Sequence, residues 1–399
     1  MVRRNKAMFA VLALALMLVL VVTGCSQPKP QAQQPQQQQQ PAEKKEDTIR
    51  IAHLAPLTGS AASYGYYMVN AAKMAVEEIN AAGGINGKKI EYFEVDETSN
   101  SAQAVEAAKK AISLNPVVIL GPNRSGGVLA AEYLWKEAKI PAITDGTSAE
   151  TTKKGNPYTF RMQVSSEKWM PILAKTAVER FKVKKPAIIY GLNDYSKANY
   201  LAIVPAFEKY GLKPVTVQTF NDGDQDFTAQ LLAAKKAGAD SLFIFSYTPE
   251  IGKMLKQRAE LGMKNIPVFA ERAATVPDVE NLAGKENYEG LITSTTMCTG
   301  DPNPKIQEFV KKYESKYNQI ISATHVNHYD SVYIVADIIK RVGTDREKIR
   351  EELSKLDYQG ALGHYVADKE GNLMHWMYTQ IRRNGKWELL DKEEYPVER

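Results

Sequence analysis

The chain has 399 residues, of which 44% are hydrophobic and 24% charged, and its formal net charge is +5 at pH 7. This length is enough for two domains of ordinary size, and the composition is typical of a globular protein. The positive charge is mild and dispersed, without a basic stripe that interleaves with aromatic residues. No nucleic acid is therefore expected as a partner.

The first residues have the pattern of a targeting segment. Basic residues at positions 3, 4 and 6 precede the apolar run Phe9–Val22, which is too short for a comfortable membrane span. The run is followed by Thr23-Gly24-Cys25, which resembles a bacterial lipobox. We therefore expect residues 1–24 to be a lipoprotein signal peptide and Cys25 to carry the lipid. The alternative is an ordinary secretory signal with a coincidental cysteine.

Residues 25–47 are interpreted as a disordered tether behind the lipid. The stretch Gln27–Pro41 is almost purely Gln and Pro, which cannot bury enough apolar surface to fold. The lipid would anchor the protein to the outer face of the bacterial cell membrane, or to the periplasmic side of an envelope membrane. With Cys25 lipidated, Cys298 has no disulfide partner, and we interpret it as a small, partly buried residue rather than a nucleophile.

Strand and helix patterns alternate from Thr48 onward. Short apolar runs predict strands, and a periodicity near 3.6 residues predicts the helices between them. The strands predicted in a first series are Thr48–Leu54, Lys89–Val95, Val117–Leu120, Ile140–Thr144 and Tyr158–Val164. The helices predicted in this series are Tyr64–Ala82, Ser101–Leu114 and Val128–Lys139.

A second series of similar length follows, and then the alternation stops. Its predicted strands are Pro186–Tyr190, Pro214–Phe220, Ser241–Phe245, Pro267–Ala270 and Glu289–Thr295. Its predicted helices are Lys197–Tyr210, Phe227–Ala237 and Glu250–Leu261. Three successive helices are predicted next, at Pro304–Tyr317, Val326–Val342 and Asp345–Leu356. The segment His364–Leu390 has strand character, and Asn384-Gly385 within it is a strong hairpin signal.

These series predict an α/β fold of two doubly wound lobes, each a mostly parallel sheet flanked by helices. The late helices need a sheet face to cover, so the simplest solution is a chain that crosses between the lobes more than once. The expected first lobe comprises residues 48–164 and 295–370, and the second comprises 165–294 and 371–399. The crossings near Val164, Thr295 and residues 362–372 would form the hinge.

Two small-residue turns, 121–127 and 145–149, follow neighbouring predicted strands. Ligands bind at the carboxyl ends of strands in open α/β sheets. Each turn supplies a hydroxyl, from Ser125 and Ser148, beside backbone N–H groups at a helix start, which suits a carboxylate or a phosphate. The first turn lacks the Lys-Ser/Thr ending of a nucleotide-binding loop, and no Gly-x-Ser-x-Gly elbow is present. We therefore expect neither an enzyme nor a cofactor.

Several segments resemble the type I solute-binding proteins of ABC importers, and most closely the leucine/isoleucine/valine-binding subgroup. They are INAAGGINGKKIE (79–91), DFTAQL (226–231), YTPEIG (247–252) and the strand that ends at Glu271. The resemblance extends from Thr48 to the C-terminus. It implies a monomeric two-lobed clamp without catalytic residues, which closes over a small amino acid and presents it to ABC permease subunits in the membrane.

The resemblance also implies a set of ligand contacts. The carboxylate of the ligand would lie on the first lobe, and Glu271 on the second lobe would pair with its ammonium group. The implied ligand-binding residues are Tyr64, Ser125, Gly146, Ser148, Tyr195, Tyr247 and Glu271. The alternative is that the serines are ordinary turn residues, the tyrosines surface aromatics and the glutamate a solvated strand-end acid.

Three charged residues depart from the family pattern. Arg124 stands where the family often has a cysteine whose partner position is Ser99, so that disulfide is absent. Asp145 lies close to Ser148 in sequence, and Arg272 follows Glu271. If Arg124 or Arg272 turned into the cleft, the ligand could be an acidic or aromatic acid, an amide or another polar carboxylate. The opposite expectation is that both arginines face solvent or a neighbouring carboxylate.

Other functions remain open from the sequence alone. A binding protein that serves a sensor is the second hypothesis, and an exported enzyme the third. His325, His328 and Asp330 lie close in sequence, but no further ligand has matching spacing, so no metal is expected. Trp169 and residues 324–328 could shape the side-chain pocket, although the sequence does not place them.

Overall fold

Two β-sheets organise the computed structural model, which describes residues 48–98, 100–321 and 327–398. Over these ranges the chain forms fourteen strands and thirteen α-helices. None of the described helices is both long enough and apolar enough to cross a membrane. The predicted signal peptide, Cys25 and the predicted tether lie outside the described residues, as do Ser99 and residues 322–326.

The first sheet is entirely parallel, with the strand order β2-β1-β3-β4-β5. Its strands are β1 (Ile49–Ala55), β2 (Ile90–Asp96), β3 (Val118–Leu120), β4 (Ala142–Thr144) and β5 (Thr159–Arg161). The connecting helices are α1 (Ala62–Ala81), α2 (Ser101–Ser113), α3 (Ser125–Glu137) and α4 (Glu150–Lys153). The central strands β3 and β4 are wholly buried, as expected for apolar runs between two helical layers.

The second sheet has the order β14-β13-β10-β9-β8-β6-β7. Its parallel strands are β6 (Pro186–Gly191), β7 (Thr216–Phe220), β8 (Ser241–Phe245), β9 (Val268–Glu271) and β10 (Ile292–Thr295). Its helices are α5 (Ser166–Glu179), α6 (Asp194–Glu208), α7 (Thr228–Lys236), α8 (Thr248–Glu260), α9 (Pro277–Ala283) and α10 (Lys285–Tyr288), with a short 3₁₀ helix at Arg272–Thr275.

The C-terminal part of the chain adds a helix that packs beside the first sheet and two strands to the second sheet. It forms α11 (Pro304–Tyr317), α12 (Asn327–Val342), α13 (Arg346–Ser354), β11 (Asp357–Gln359), β12 (His364–Val366), β13 (Trp376–Arg383) and β14 (Lys386–Glu394). Helix α12 packs on α1, and β13 pairs antiparallel with β10. Asn384 and Gly385 both have positive φ, which matches the predicted hairpin between β13 and β14. We call the first sheet with the helices on it the first lobe, and the second sheet with its helices the second lobe.

The predicted α/β fold with mostly parallel sheets is confirmed, and most element bounds differ by only a few residues. No helix was predicted at α5, a 14-residue helix that contains Pro171 and buries Trp169. Proline usually interrupts a helical pattern, but here burial of the apolar face outweighs the lost hydrogen bond. The helices α4, α9 and α10 and the short strand β11 were also unpredicted.

Candidate ligand site

The two predicted turns of the first lobe meet at the carboxyl ends of β3 and β4. Ser125 is the first residue of α3, and its Oγ accepts a hydrogen bond from the Ser148 backbone N–H at 3.1 Å. A Cβ at Gly146 would lie 3.1 Å from the Ser125 Cα, so the two turns approach closely only because residue 146 has no side chain. This contact joins both hydroxyl-bearing turns into one buried surface.

The second lobe presents two tyrosines from the ends of its own strands. Tyr195 lies in the first turn of α6, and the Asn193 side chain fixes that turn by accepting the Ser196 N–H at 2.9 Å. Tyr247 follows β8 and precedes α8. The two rings stack with centroids 5.3 Å apart and planes 18° from parallel, and both are buried. They form an aromatic wall on the second-lobe side of the cleft.

Glu271 is the last residue of β9 and has no exposed surface. Its Oε2 accepts the Ala273 N–H at 3.1 Å, whereas Oε1 makes no hydrogen bond of ordinary geometry to any described residue. Burial raises the pKa of this carboxyl to about 7, against the lowering effects of Arg272, the nearby Tyr195 hydroxyl and the Ala273 N–H. Among the described residues, the Tyr195 hydroxyl and the Arg272 guanidinium therefore act on this carboxylate only from nearby, and Oε1 has no hydrogen bond of ordinary geometry.

Arg272 reaches from the second lobe to the first. Its Nη2 donates to the Asp145 backbone oxygen at 3.4 Å, and its Nη1 lies 3.7 Å from Asp145 Oδ2. The guanidinium carbon lies 5.2 Å, 5.7 Å and 5.8 Å from the ring centroids of Tyr64, Trp169 and Tyr195 respectively. These are cation–π distances, so aromatic rings from both lobes hold the charged group in the cleft.

Asp145 is fully buried and is the most heavily hydrogen-bonded carboxylate of the cleft. Its Oδ1 accepts the Asn327 Nδ2 at 2.9 Å, and its Oδ2 lies 3.1 Å from His328 Nε2 and 3.4 Å from Gln163 Nε2. Burial alone would raise the pKa of Asp145, but His328 and Arg272 outweigh it and the pKa is lowered. Asp145 and Arg272 therefore form a buried ion pair between the lobes.

Arg124 makes the reciprocal crossing, from the first lobe to the second. Its Nε donates to the Tyr247 hydroxyl at 3.1 Å, and its Nη2 lies 3.7 Å from Asp222 Oδ2. The two arginines are thus both turned into the cleft, and each is near a carboxylate of the opposite lobe. The expectation that they face solvent is wrong, whereas the expectation that each faces a neighbouring carboxylate is confirmed.

The structure brings all seven sequence-predicted site residues to one cleft between the lobes. They are the buried residues Tyr64, Ser125, Gly146, Ser148, Tyr195, Tyr247 and Glu271. The ligand contacts assigned to them remain a prediction. Trp169 also belongs to this surface, with its Nε1 donating to Asn199 Oδ1 at 3.2 Å. The sequence singled out Trp169 but did not place it, because α5, whose apolar face carries it, was not predicted.

The remaining candidates lie apart from one another. His328 faces Asp145, whereas Asp330 accepts the N–H groups of Ala361 and Leu362 and the Tyr365 hydroxyl at 2.9–3.0 Å. Across the described ranges no group of three His, Cys, Asp or Glu residues could hold a metal ion, and His325 lies outside them. Cys298 is buried without a disulfide, and burial raises its thiol pKa to about 11.

Two lobes of mostly parallel α/β structure, with polar side chains from both buried between them, have the architecture of a two-lobed solute-binding protein. The chain belongs to the periplasmic binding protein family, whose model matches residues 48–386. The resemblance in the sequence motifs is thereby confirmed. Members of this family bind solutes outside the cytoplasm for transporters.

Named relatives and solved structures agree with this family. A leucine-, isoleucine-, valine-, threonine- and alanine-binding protein of Pseudomonas aeruginosa is 27% identical over 84% of this chain and 89% of its own length. A leucine-binding protein of Thermotoga maritima has a TM-score of 0.80 at 27% identity, covering 87% of this chain and 99% of that one. A branched-chain amino acid transporter binding protein of Streptococcus pneumoniae, solved with isoleucine, has a TM-score of 0.80 at 28% identity, with coverages of 87% and 99%.

The ion pair between Asp145 and Arg272 generates a stability prediction. Asp145→Asn keeps the shape of the side chain but leaves a buried guanidinium without its counter-charge. We expect the free energy of unfolding, measured by urea denaturation at pH 7, to fall by about 3–5 kcal/mol. Asp391→Asn is the matched control, because Asp391 pairs with Arg180 at 2.7 Å on an exposed surface and should contribute far less. Equal, small effects of both substitutions would contradict this assignment.

Proposed function

We propose that this protein captures an α-amino acid by closing its two lobes and delivers it to an ABC importer. The names of its relatives make leucine, isoleucine and valine the first ligands to consider. In this proposal the lipid on Cys25 and the tether of residues 25–47 hold a monomer at the membrane, close to the permease subunits. The chain segments near Val164, Thr295 and residues 362–372 would act as the hinge.

The observation that carries this proposal is the buried carboxylate of Glu271, whose Oε1 makes no hydrogen bond of ordinary geometry to a described residue, although the Tyr195 hydroxyl lies nearby. A buried carboxylate without a partner is costly, and an ammonium group of a ligand would satisfy it. Because Glu271 belongs to the second lobe, an ammonium group bound there fixes one end of the ligand on that lobe. The other end of the ligand then needs an anion site on the first lobe.

Such a site is available at Ser125 and Ser148. The Ser125 hydroxyl accepts the Ser148 N–H, so its own proton is directed elsewhere and can be donated to a ligand carboxylate. Ser125 also begins the 13-residue helix α3, whose first N–H groups and dipole favour an anion. A zwitterion between these two sites would contact both lobes and therefore stabilise the closed state more than the open state.

A second candidate ligand class is an aromatic acid, an amide or another polar carboxylate, bound for an importer or a sensor. The observation that favours it is the guanidinium of Arg272, which is buried in the cleft beside Trp169 and Tyr195. In this case the Glu271 carboxyl would stay protonated, which a pKa of about 7 permits at mildly acid pH.

A thermal-shift screen distinguishes the two ligand classes, because a ligand that binds the folded state raises the melting temperature by mass action. We expect α-amino acids at concentrations well above Kd to raise it by several degrees. Their des-amino analogues should produce little shift, since these lack the ammonium group. Shifts with benzoates or dicarboxylates, and none with any α-amino acid, would exclude the first class and favour the second.

Replacement of Glu271 tests the ammonium contact directly. Glu271→Ala leaves the buried ammonium group unpaired, and we expect amino-acid affinity to fall by roughly a hundredfold or more, on the order of 3–5 kcal/mol. Isothermal titration calorimetry measures this change. Glu286→Ala is the control, because Glu286 belongs to the same lobe but forms only an exposed pair with Lys264. Unchanged affinity in Glu271→Ala would rule out this role for the carboxylate.

The raised pKa of Glu271 also predicts how affinity depends on pH. The free protein has a Glu271 pKa of about 7, and an ammonium partner lowers it in the complex, so the complex binds fewer protons. Affinity should therefore be highest above pH 7 and fall about tenfold per pH unit as the pH decreases below 7. Titration calorimetry between pH 5 and pH 8 measures this slope, and Glu271→Gln should flatten it. A flat profile in the unmodified protein would contradict the proposed coupling.

A further inference from the structure

Arg272 has more hydrogen-bond donors than the described residues satisfy. Of its three nitrogen atoms, only Nη2 makes a hydrogen bond to a described residue, and that bond is long at 3.4 Å. Within the described ranges Nε and Nη1 are buried and have no hydrogen-bond acceptor, and the nearest carboxylate oxygen there, Asp145 Oδ2, lies 3.7 Å from Nη1. The side chain as a whole is 2% exposed. Two buried donors in a ligand cleft define a place for an acceptor on the ligand.

The aromatic neighbours of Arg272 keep these donors in position. Tyr64 comes from the first lobe, whereas Tyr195 belongs to the second, and the guanidinium lies within 6 Å of both rings and of Trp169. Trp169 is itself fixed by its bond to Asn199. These cation–π contacts hold the guanidinium in place, but the rings supply no oxygen or nitrogen acceptor for Nε or Nη1.

The charges around Arg272 restrict what that acceptor can be. Arg272 and Asp145 neutralise each other, and Arg124 is matched by Asp222. Glu271 is matched by the ammonium group of the ligand in the proposed function, and the α-carboxylate lies at the start of α3. Among the described residues, a second anion or cation on the ligand would therefore have no counter-charge, and burying it would be strongly unfavourable. An uncharged acceptor satisfies the donors and keeps the balance.

We propose that Arg272 determines specificity, and that the site prefers amino acids whose side chain carries an uncharged hydrogen-bond acceptor, a carboxamide or a hydroxyl, over aliphatic side chains of the same size. This inference rests on the proposed capture of an α-amino acid. An aliphatic side chain can fill the same space, but it leaves Nε and Nη1 of Arg272 without partners. The inference therefore concerns which α-amino acids bind most tightly, whereas the proposed function states only that α-amino acids bind.

Near-isosteric ligand pairs provide the test. Asparagine and leucine have similar shapes, as do threonine and valine, and in each pair only the first offers a polar acceptor. Competition calorimetry with the purified full chain should give a Kd ratio of about tenfold or more in favour of asparagine over leucine, and of threonine over valine, since hydrogen bonds to charged groups are strong. Arg272→Met should abolish or reverse both ratios, and Arg272→Lys should retain part of them because the charge remains.

The control is Arg258→Met, which removes another buried arginine of the second lobe whose Nη1 donates to Ile266 O at 2.9 Å, outside the cleft. The two Kd ratios measured for Arg258→Met should equal those of the unmodified protein. Tighter binding of leucine and valine in the unmodified protein would overturn the inference and leave the proposed function intact. Equal weakening of all four ligands in Arg272→Met would overturn it too, because Arg272 would then bind the shared α-carboxylate. No binding by any of the four would refute the proposed function itself.

Discussion

A guanidinium buried between two lobes needs its charge matched, and in this protein that requirement ties the lobes together. Arg272 of the second lobe pairs with Asp145 of the first, and Arg124 of the first lobe reaches Tyr247 and Asp222 of the second. Each lobe thus contributes an arginine to a contact with the other lobe. The closed arrangement keeps these charges near their partners, whereas opening would separate them or expose them to water. The cleft is therefore a polar contact surface in its own right as well as the place where a ligand would bind.

Asp145 is held in this polar surface by a network of hydrogen bonds within the first lobe. Behind it lie His328 and Asn327 of α12, a helix that enters the first lobe from the far end of the sequence. His328 stacks on His53 of β1 with ring centroids 4.6 Å apart, and Asn123 Nδ2 lies 3.3 Å from His328 Nε2. Such a network holds the carboxylate in one orientation, and through Asp145 it also holds the arginine of the other lobe.

The sequence contains enough information for the fold and for the place of the site, but not for its electrostatics. Alternating apolar runs and helical periods predicted the parallel sheets, and the rule that ligands bind at strand ends singled out Ser125 and Ser148. Glu271 was singled out by the family resemblance. Helix α5 could not be predicted locally, because tertiary packing of Trp169 outweighs the signal of Pro171. The orientations of Arg124 and Arg272 could not be predicted either. Each depends on a carboxylate of the other lobe that is more than 90 positions away in sequence.

The interleaved path of the chain also affects how the protein is made. Tyr329 of α12 donates a hydrogen bond to Glu78 of α1 across 251 sequence positions, and the parallel strands of the second lobe lie between them. A polypeptide synthesised from its N-terminus cannot complete the core of its first lobe until α12 has emerged from the ribosome. Contacts at such separations also slow folding. The nascent chain consequently stays incompletely folded during most of its synthesis.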